Sequence, residues 1–490
     1  MFRKEGLHFN YSLPHGARKE RTMLLLDHAA KQRIHEGSLS ILSELGVRVE
    51  HAETLSRLES RGAKIDRTAR IAHLPETLVE WALERAPSAI TLSDRRGRRF
   101  DLHPRGDSMY WTGNALYMIE GDRRVDIDSD RFIQMARLVD ALDQPDAMVG
   151  TSLCDVPPVC RDFVGFRLIA EHTTRHIRPV IFTAQGANAI LEMAEVLSEG
   201  ADMAEHPLFS LGYSNVSPLR WTETAMGLMT LTSGKKIPMM INAEPMAGGT
   251  SPVTLAGSIL AANAEILSGI VIAQLLEEAR PCIYNLGFAH VLDMRTTVAL
   301  TGSPEPCLFA VSGAEMAAHY DLPCASWVST DATVIDSQSA YEKMMGFLTH
   351  TSAGVNAIWG IGQMEAQLSL SLTQAVLDDE MLGMVHRFLR GFETDAEHLA
   401  LDVIREVGFD GDFLSHDHTL DHYREELSTS ELANRNRRGT WEQDGRKSIE
   451  QRAQEKVKKL LAVEKECVTG DQKRELGRIE KSWRKKLGAL

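Results

Sequence analysis

Four aromatic residues lie at or near the ends of short apolar runs in the middle of the chain. They are Tyr213, Tyr284, Trp327 and Trp359. The faces of Trp and Tyr rings attract a quaternary ammonium ion, and each contact contributes about 0.5 to 2 kcal/mol depending on desolvation. Any one of these rings taken alone is better explained by packing in the interior of the fold. The cluster as a whole favours a site for a methylated amine.

Charged residues near the same positions could complete such a site. Glu244 and Asp331 follow apolar runs and are candidate partners for a bound cation. A betaine would also bring a carboxylate, which needs a hydrogen-bond donor. The spacing does not choose among four candidate donors, although His350 is preferred over the others: His350, Arg220, His290 and Arg295. A His350 bonded to the backbone of its own predicted helix is an equally good interpretation.

The stretch "AEPMAGGTSPVTLAG" predicts a turn between a strand and a helix. Gly248 and Gly249 permit a left-handed or closely approached backbone, and Thr250 follows them. Ser251 is a good N-cap with Pro252 at the first helical position, so the helix is predicted to start there. A phosphate could bind at such a helix start, but no Lys or Arg is near. The turn is better explained as a place where a bulky partner or cofactor approaches the backbone closely.

The elements that would position these residues form a repeating pattern. Seven apolar runs alternate with helix-length segments between about residues 147 and 363, namely "AMVGTSL", "RPVIFTA", "LFSLGYS", "IPMMINA", "PCIYNLG", "CASWVS" and "VNAIWG". This pattern predicts an α/β fold of the (β/α)8 TIM-barrel type, with the eighth strand from "AITLSD" or from the region after Trp359. An open doubly wound sheet would show a GxGxxG turn, which is missing from that context.

The predicted barrel, residues 147–395, is flanked by two appendages. Residues 1–146 carry helical and hairpin patterns, and residues 396–490 are predicted to be a helical extension. The end of that extension, with Leu460, Leu461 and Val463 as its few apolar positions, favours a solvated helix or a frayed end. In a TIM barrel the chemistry belongs at the carboxyl ends of the strands, where Glu244, Asp331, the aromatic residues and Gln363 are expected to meet.

Composition narrows the functional class. The 490 residues carry a formal net charge of -14, which argues against a general nucleic-acid or membrane-surface binder. No apolar run reaches the roughly 18 residues of a membrane helix and the N-terminus lacks a secretory signal, so the cytoplasm is the expected location. The six scattered cysteines are expected to be reduced. The histidines of "HDHTLDH" favour a helix cap or surface over a metal site.

Several stretches resemble one known family. "EPMAGGTSPVTLAG", "TDATVIDSQSAYEK", "IHEGSLSILSELGVRVEH" and "FLSHDHTLDHYREE" are similar to the trimethylamine methyltransferase family, over about residues 30 to 460. The resemblance implies a barrel that moves a methyl group from a methylated amine to the Co(I) corrinoid, a cobalamin, carried by a separate partner protein. No bound metal is expected, because no Cys, His and carboxylate spacing completes a site. The positions expected to face the corrinoid are Gly248, Gly249, Thr250 and Gln363.

One position departs from the family pattern. Trimethylamine-specific members carry pyrrolysine within the stretch corresponding to "TDATVIDSQ", and the resemblance places it at Val334. Without that residue the chain resembles the glycine betaine methyltransferase branch, which uses quaternary amines, and the expected catalytic positions are Glu244, Asp331 and Val334. A quaternary nitrogen is already a good leaving group, so the protein need only hold and aim the substrate.

Two other functions remain open. The first is a barrel that binds a betaine without turnover, and the second is a phosphate-binding barrel lyase. The identity of the amine is not fixed by the sequence, since betaines differ only beyond the nitrogen. A homo-oligomer is expected because helical appendages on barrels often associate.

Overall fold

Eight parallel strands form a closed barrel in the computed structural model, which describes residues 24–489. The strands are β1 (Met109–Thr112), β2 (Pro145–Val149), β3 (His176–Arg178), β4 (Leu211–Ser214), β5 (Met239–Asn242), β6 (Cys282–Gly287), β7 (Cys324–Trp327) and β8 (Ala357–Ile361). Neighbours in sequence are neighbours in the sheet, and β8 pairs with β1. A parallel bridge between Ile177 and Phe209 joins β3 to the segment before β4 and closes the barrel.

A helix follows each strand, as the TIM-type prediction requires. The helices are α1 (Ser129–Ala141), α2 (Arg161–His172), α3 (Ala184–Ser198), α4 (Glu223–Leu231), α5 (Leu255–Leu276), α6 (Pro304–His319), α7 (Ser337–Ser352) and α8 (Leu372–Arg390). Side-chain caps start several of them, including Asp128 at α1 and Asp336 at α7. Contrary to the expectation from unbroken apolar runs, helix α5 is long and apolar enough to cross a membrane, but most of its residues are buried within the packed protein.

The strands divide their side chains between two cores. Alternate residues point outward to the helices or inward to the barrel axis, because side chains on a strand alternate between its two faces. The inner core is a separate cluster that holds Met109, Trp111, Ala147, Val149, Met240, Ile283, Ala325, Trp327, Ala357 and Trp359. A residue's position along its strand therefore decides whether it can reach a ligand in the barrel.

The eighth strand differs from the sequence prediction. It is β1, "MYWT", which lies in the segment assigned to the N-terminal appendage, whereas "AITLSD" supplies one strand of a hairpin, Ile90–Ser93 with Arg99–Leu102. Ile90, Leu92 and Leu102 of that hairpin are buried against the inner core and plug the amino-terminal end of the barrel. Short apolar strands next to hairpins give the same sequence pattern, so the pattern alone could not separate β1 from its neighbours.

Smaller elements surround the barrel. The N-terminal region consists of the helix His28–Ser40 with a π-turn at Ile41–Leu45, the helices Ala52–Ser60 and Glu76–Arg85, and the strands Val47–Val49, Lys64–Asp66 and Ile71–His73. Loops of the barrel carry the strands Tyr117–Glu120, Arg123–Asp126, Arg220–Trp221, Met246–Ala247, His290–Leu292, Ala299–Leu300, Gln363–Met364 and Ser369–Leu370, and the 3-10 turn Pro158–Cys160. Residues 1–23, predicted to lack a secretory signal, lie outside the described residues.

The C-terminal extension is helical, and its end is packed along one face while its other face is solvated. Its helices are Ala396–Leu399, Leu401–Val407, Asp417–Glu426, Arg438–Gln443, Ile449–Leu461 and Gly470–Lys486. The last of them packs on α2 and α3 and buries Leu476 and Ile479, while Val457 is buried in the preceding helix. The prediction of a solvated helix holds for the exposed face and missed the packed one, because a few apolar residues at helical spacing among many Lys and Arg are enough to form a packing stripe.

His176 ties the plugging hairpin to the barrel. Its Nδ1 lies 2.9 Å from the Ser93 carbonyl oxygen and its Nε2 lies 2.9 Å from Ser210 Oγ. The ring is fully buried, and burial lowers the pKa of His176 to about 4. The histidine is therefore neutral in the folded protein at any pH above about 4.

We expect His176 to make the protein sensitive to mild acid. Between its unfolded pKa near 6.5 and its folded pKa near 4, the unfolded chain binds a proton that the folded chain does not, so stability falls as the pH drops. Between pH 7 and pH 5, the unfolding free energy of the wild type should fall by about 2 kcal/mol more than that of His176→Asn. Urea unfolding at both pH values checks this, with the exposed His206→Asn as the control. An unchanged pH dependence in His176→Asn would contradict it.

Candidate active site

Three tryptophans on neighbouring strands line one side of the barrel interior in register. Trp327 on β7 pairs with Trp359 on β8, which pairs with Trp111 on β1. Trp111 and Trp359 stack with ring centroids 5.6 Å apart, and Phe288, in the loop after β6, contacts Trp359 and Trp327 edge to face at 5.2 and 5.8 Å. Trp327 is the most exposed of the four at 8%. This side of the barrel is an aromatic wall.

Polar side chains occupy the facing strands, also in register. Ser214 on β4 pairs with Asn242 on β5, which pairs with Asn285 on β6. Asn285 Nδ2 donates to Asn242 Oδ1 at 2.9 Å, Asn242 Nδ2 donates to Ser214 Oγ at 3.2 Å, and Ser214 Oγ donates to Glu244 Oε1 at 2.7 Å. The chain of hydrogen bonds fixes the orientation of both amides and ends on the carboxylate of Glu244 at the mouth.

A buried cation stands between the two sides. Arg178 ends β3, is 8% exposed, and places its guanidinium carbon 5.3 Å from the centroid of the Trp359 ring. Burial lowers the pKa of Arg178 to about 10, with the nearby Glu244 opposing the shift, so the guanidinium is still charged at neutral pH. The barrel interior thus combines aromatic faces, amides and one full positive charge.

The end of β8 and the turn that follows it hold the aromatic wall in place. Gln363 accepts a hydrogen bond from Trp327 Nε1 and donates from its Nε2 to the Asn114 carbonyl oxygen at 2.7 Å. Gly360 has a φ of 121°, and a Cβ there would lie 1.8 Å from the Val328 carbonyl oxygen, so only glycine fits. Gln363 was predicted to face a corrinoid, but it is buried and positions Trp327 instead.

Two of the four predicted aromatic residues face the barrel interior and two do not. Trp327 and Trp359 lie on the inner wall, whereas Tyr213 and Tyr284 point outward. Tyr213 Oη lies 2.7 Å from Thr232 Oγ1 beyond α4, and Tyr284 Oη donates to Asn263 Oδ1 of α5 at 2.7 Å. The expectation that these tyrosines line the mouth is wrong because each sits one residue out of phase with the inward positions of its strand.

Three of the four predicted carboxylate donors, His350, Arg220 and Arg295, lie away from the barrel interior, whereas His290 lies in the loop after β6 near Phe288. His350 is buried between α7 and β7, with Nδ1 2.8 Å from Ser326 Oγ, and burial lowers the pKa of His350 to about 3. Arg220 belongs to a peripheral strand and pairs with Glu50 at 3.7 Å. The side chain of Arg295 is 90% exposed beside Asp293, and His290 contacts the Phe288 carbonyl oxygen. The preference for His350 was wrong because its helix turns it toward the back of the strand.

The acidic candidates differ in what they can do. Asp331 accepts hydrogen bonds from Thr301 N, Thr301 Oγ1 and Gly302 N at 2.8 to 3.1 Å, so it ties two loops together, and burial raises its pKa. Val334 is 54% exposed in the same loop. Glu244 is exposed at the mouth and keeps one carboxylate oxygen, Oε2, outside the Ser214 hydrogen bond. Of these residues, Glu244 is the best placed to contact a ligand.

The glycine turn is built differently from its prediction. Helix α5 begins at Leu255 with Thr254 as its N-cap, three residues later than the Ser251 start that the sequence suggested. The amides of Gly248, Gly249 and Thr250 donate to carbonyl oxygens of Ser251 and Met246, so they do not point at a ligand. Gly249 and Thr250 are exposed at the rim of the mouth. This geometry disfavours a phosphate site and leaves an exposed rim.

Sequence reasoning missed several residues of the interior. Arg178, Trp111, Phe288, Asn242 and Asn285 all face it, and none was a candidate. A charged or amide residue inside an otherwise apolar strand, such as Arg178 before Pro179 or the Asn of "MMIN" and "IYNLG", was the available signal. Trp111 was not predicted to face the interior because its strand was not assigned to the barrel.

The histidine-rich stretch at 416 to 422 forms a helix cap. His416 caps the helix Asp417–Glu426 by accepting from His418 N at 3.1 Å, as the cap interpretation predicted. The rings of His418 and His422 lie with their centroids 4.4 Å apart and their planes tilted by 40°. Within residues 24–489 no group of three His, Cys, Asp or Glu side chains is arranged to hold a metal ion.

Comparisons with known proteins agree with this architecture. The family model described as trimethylamine methyltransferase (MTTB) matches residues 3–478. The chain is 31% identical to trimethylamine methyltransferase MttB of Desulfitobacterium hafniense (strain DSM 10664 / DCB-2), covering 87% of each chain. It is 28% identical to glycine betaine methyltransferase of Desulfitobacterium hafniense (strain Y51), covering 88% of this chain and 91% of that one.

The fold also has a counterpart among solved structures. The crystal structure of Methanosarcina barkeri monomethylamine methyltransferase superposes with a TM-score of 0.55 at 14% identity, covering 96% of this chain and 88% of that chain. This similarity supports the barrel fold, and the sequence matches extend over nearly the whole chain. The protein therefore belongs to the trimethylamine methyltransferase family.

Proposed function

We propose that the protein transfers a methyl group from a quaternary methylated amine to the reduced corrinoid of a separate partner protein. The observation that carries the proposal is the aromatic wall of Trp327, Trp359 and Phe288 at the carboxyl end of the barrel strands. Desolvated aromatic faces stabilise a quaternary ammonium by up to about 2 kcal/mol each. Membership of a family named for methylamine methyl transfer supports the same reaction.

The residues of the site suit a displacement that needs positioning more than acid–base help. When the methyl–nitrogen bond breaks, its electron pair stays on nitrogen and a neutral tertiary amine leaves, so no proton has to be supplied. The corrinoid of the partner supplies the nucleophile that accepts the methyl group. The aromatic wall holds the cationic nitrogen, and Glu244 at the mouth adds a favourable negative charge. Val334, at the proposed pyrrolysine position, cannot form an adduct with a tertiary amine, which favours quaternary substrates.

The rim of the mouth suits the docking of a corrinoid protein. Every loop that follows a barrel strand exposes at least one large apolar side chain, and together these residues form an apolar rim: Leu116, Val159, Phe182, Val216, Val253, Met294, Val298, Val334 and Leu368. A ring of exposed apolar residues around an active-site mouth is typical of a surface that binds another protein. We propose that the partner docks on this rim, next to Gly248, Gly249 and Thr250, and that both proteins act in the cytoplasm.

A second surface supports the proposal of a homo-oligomer. Three helices of the segment 392–427, which we call the apolar arm, contain no buried residue: Ala396–Leu399, Leu401–Val407 and Asp417–Glu426. The arm exposes Phe392, Leu399, Leu401, Ile404, Phe409, Phe413, Leu414, Leu420 and Leu427. Their exposed area is on the order of 1,000 Å², about what one partner buries in a stable interface. Light scattering of the wild type and of Phe409→Glu, expected to dissociate, tests this assignment.

The function is tested by mixing the purified protein with free cob(I)alamin and a panel of methylated amines. We expect methylcobalamin to form with at least one quaternary amine and not with trimethylamine. The change in visible absorbance monitors its formation. Calorimetric binding of a betaine with no methyl transfer would favour a non-catalytic betaine-binding barrel. A requirement for a phosphorylated substrate would favour the lyase, which the engaged amides of the glycine turn already disfavour.

A further inference from the structure

Arg178 is a buried cation whose charge forms no ion pair with any residue of the described segment 24–489. Its guanidinium donates to the carbonyl oxygens of Pro179 and, at 3.3 Å, of Gly212, and its Nε makes no hydrogen bond within the described chain. Among residues 24–489, no carboxylate forms an ion pair with it, and Glu244 acts on it only through a longer-range electrostatic interaction. A charge that is more than nine-tenths buried and unpaired is costly, so its presence needs a reason.

The position of Arg178 supplies that reason. It ends a barrel strand on the inner wall, where ligands of this fold bind, and its guanidinium lies over the face of Trp359. Arginine presents a planar fork of N–H donors that matches a carboxylate. The same positive charge would repel a bare tetraalkylammonium ion held at the aromatic wall, unless the ligand brings its own negative charge.

We propose that Arg178 binds the carboxylate of the substrate. The substrate is therefore a betaine and not a quaternary amine without a carboxylate, such as choline. This assignment rests on the proposed function and names its substrate class. With the carboxylate at Arg178 beside Trp359, the ammonium group reaches Trp327, the register partner of Trp359 on the next strand. Neighbouring strands are about 4.8 Å apart, which suits a betaine whose two charges are separated by only a few bonds.

The wild-type protein tests the substrate class without any variant. Isothermal titration calorimetry with glycine betaine, choline and tetramethylammonium compares ligands that share the quaternary nitrogen and differ in the carboxylate. We expect glycine betaine to bind about 100-fold or more tighter than either of the others. Equal affinity for choline or tetramethylammonium overturns the assignment, even if methyl transfer to cobalamin takes place.

Variants then locate the carboxylate site. Arg178→Met should lose about 100-fold or more in glycine betaine affinity and should not lose affinity for tetramethylammonium, because only the anionic end of the ligand has lost its partner. Arg178→Lys keeps the charge without the planar fork, so its affinity for glycine betaine should lie between those of the wild type and Arg178→Met. The control is Arg220→Met, since Arg220 pairs with Glu50 in a peripheral sheet. Unchanged betaine affinity in a folded Arg178→Met or Arg178→Lys protein overturns the assignment.

The same measurements separate the two proposals. Methyl transfer from choline or tetramethylammonium at the betaine rate leaves the methyltransferase intact and removes the role of Arg178. Betaine binding that depends on Arg178, with no methyl transfer to cobalamin in any assay, keeps the carboxylate site and removes the proposed reaction.

Discussion

Replacement of Trp327 by leucine is expected to lower kcat/KM for the quaternary amine by about 30-fold, the equivalent of about 2 kcal/mol. Trp327 is the most exposed ring of the aromatic wall, and its indole N–H is held by Gln363, so the orientation of the ring is fixed. Leucine keeps the site apolar but removes the π face that attracts the cation. Steady-state methylation of cob(I)alamin with varied amine measures the change.

Two further variants test whether the loss of activity comes from the missing aromatic face of Trp327. Trp327→Phe retains a smaller aromatic face and should recover part of the activity. Trp441→Leu makes the same replacement in the C-terminal extension, where Arg438 covers the ring, and should leave kcat/KM unchanged. Thermal unfolding of each variant separates lost binding from lost stability. If Trp327→Leu matched Trp441→Leu in activity, Trp327 would not hold the cation.

The barrel could be predicted because its strands and helices differ in local pattern. Runs of four to seven apolar residues separated by helix-length segments recur along the chain, and six of them overlap β2 and β4 to β8, whereas "RPVIFTA" meets β3 only at Arg178, the last residue of that strand. The pattern failed at β1, where "MYWT" is as short as the strands of the hairpins on either side of it. Only closure of the barrel, through the pairing of β1 with β8, identifies it, and closure is a property of the whole sheet.

The site could be predicted only in part, because the sequence does not show which side chains of a strand point inward unless the first residue of the strand is known. Trp327 and Trp359 point inward, and Tyr213 and Tyr284 point outward, although all four end apolar runs. A shift of one residue reverses every side chain, and apolar strands buried on both faces carry no alternation to fix it. Arg178 shows a better signal, since a charge inside a buried strand must face a polar interior or a ligand.

The support of the aromatic wall depends on one buried ion pair. Lys343 Nζ of α7 lies 3.1 Å from Asp378 Oδ2 of α8, and both side chains are fully buried. Lys343 also donates to the Gly360 carbonyl oxygen at 2.6 Å, and Asp378 accepts from Gly362 N at 2.7 Å. Burial lowers the pKa of Lys343 and raises that of Asp378, and each partner opposes the shift of the other.

Breaking this pair should have the largest effect on stability. Lys343→Met leaves the Asp378 carboxylate buried without its counter-charge, and we expect the free energy of unfolding to fall by about 3 to 5 kcal/mol. Urea unfolding measures the loss, with Arg438→Met as the control, because the Arg438–Glu442 pair is exposed and its removal should leave the midpoint unchanged. A drop in Lys343→Met no larger than in the control would contradict the prediction.

The same pair should also couple stability to activity. Lys343 and Asp378 hold both glycines of the turn that separates Trp359 from Gln363, and Gln363 in turn holds Trp327. In Lys343→Met/Asp378→Leu no buried charge is left unpaired, so part of the stability should return. The Gly360 carbonyl and the Gly362 amide still lose their partners, and kcat/KM should stay low because the turn is no longer fixed. Full recovery of both properties would show that the aromatic wall does not depend on this turn.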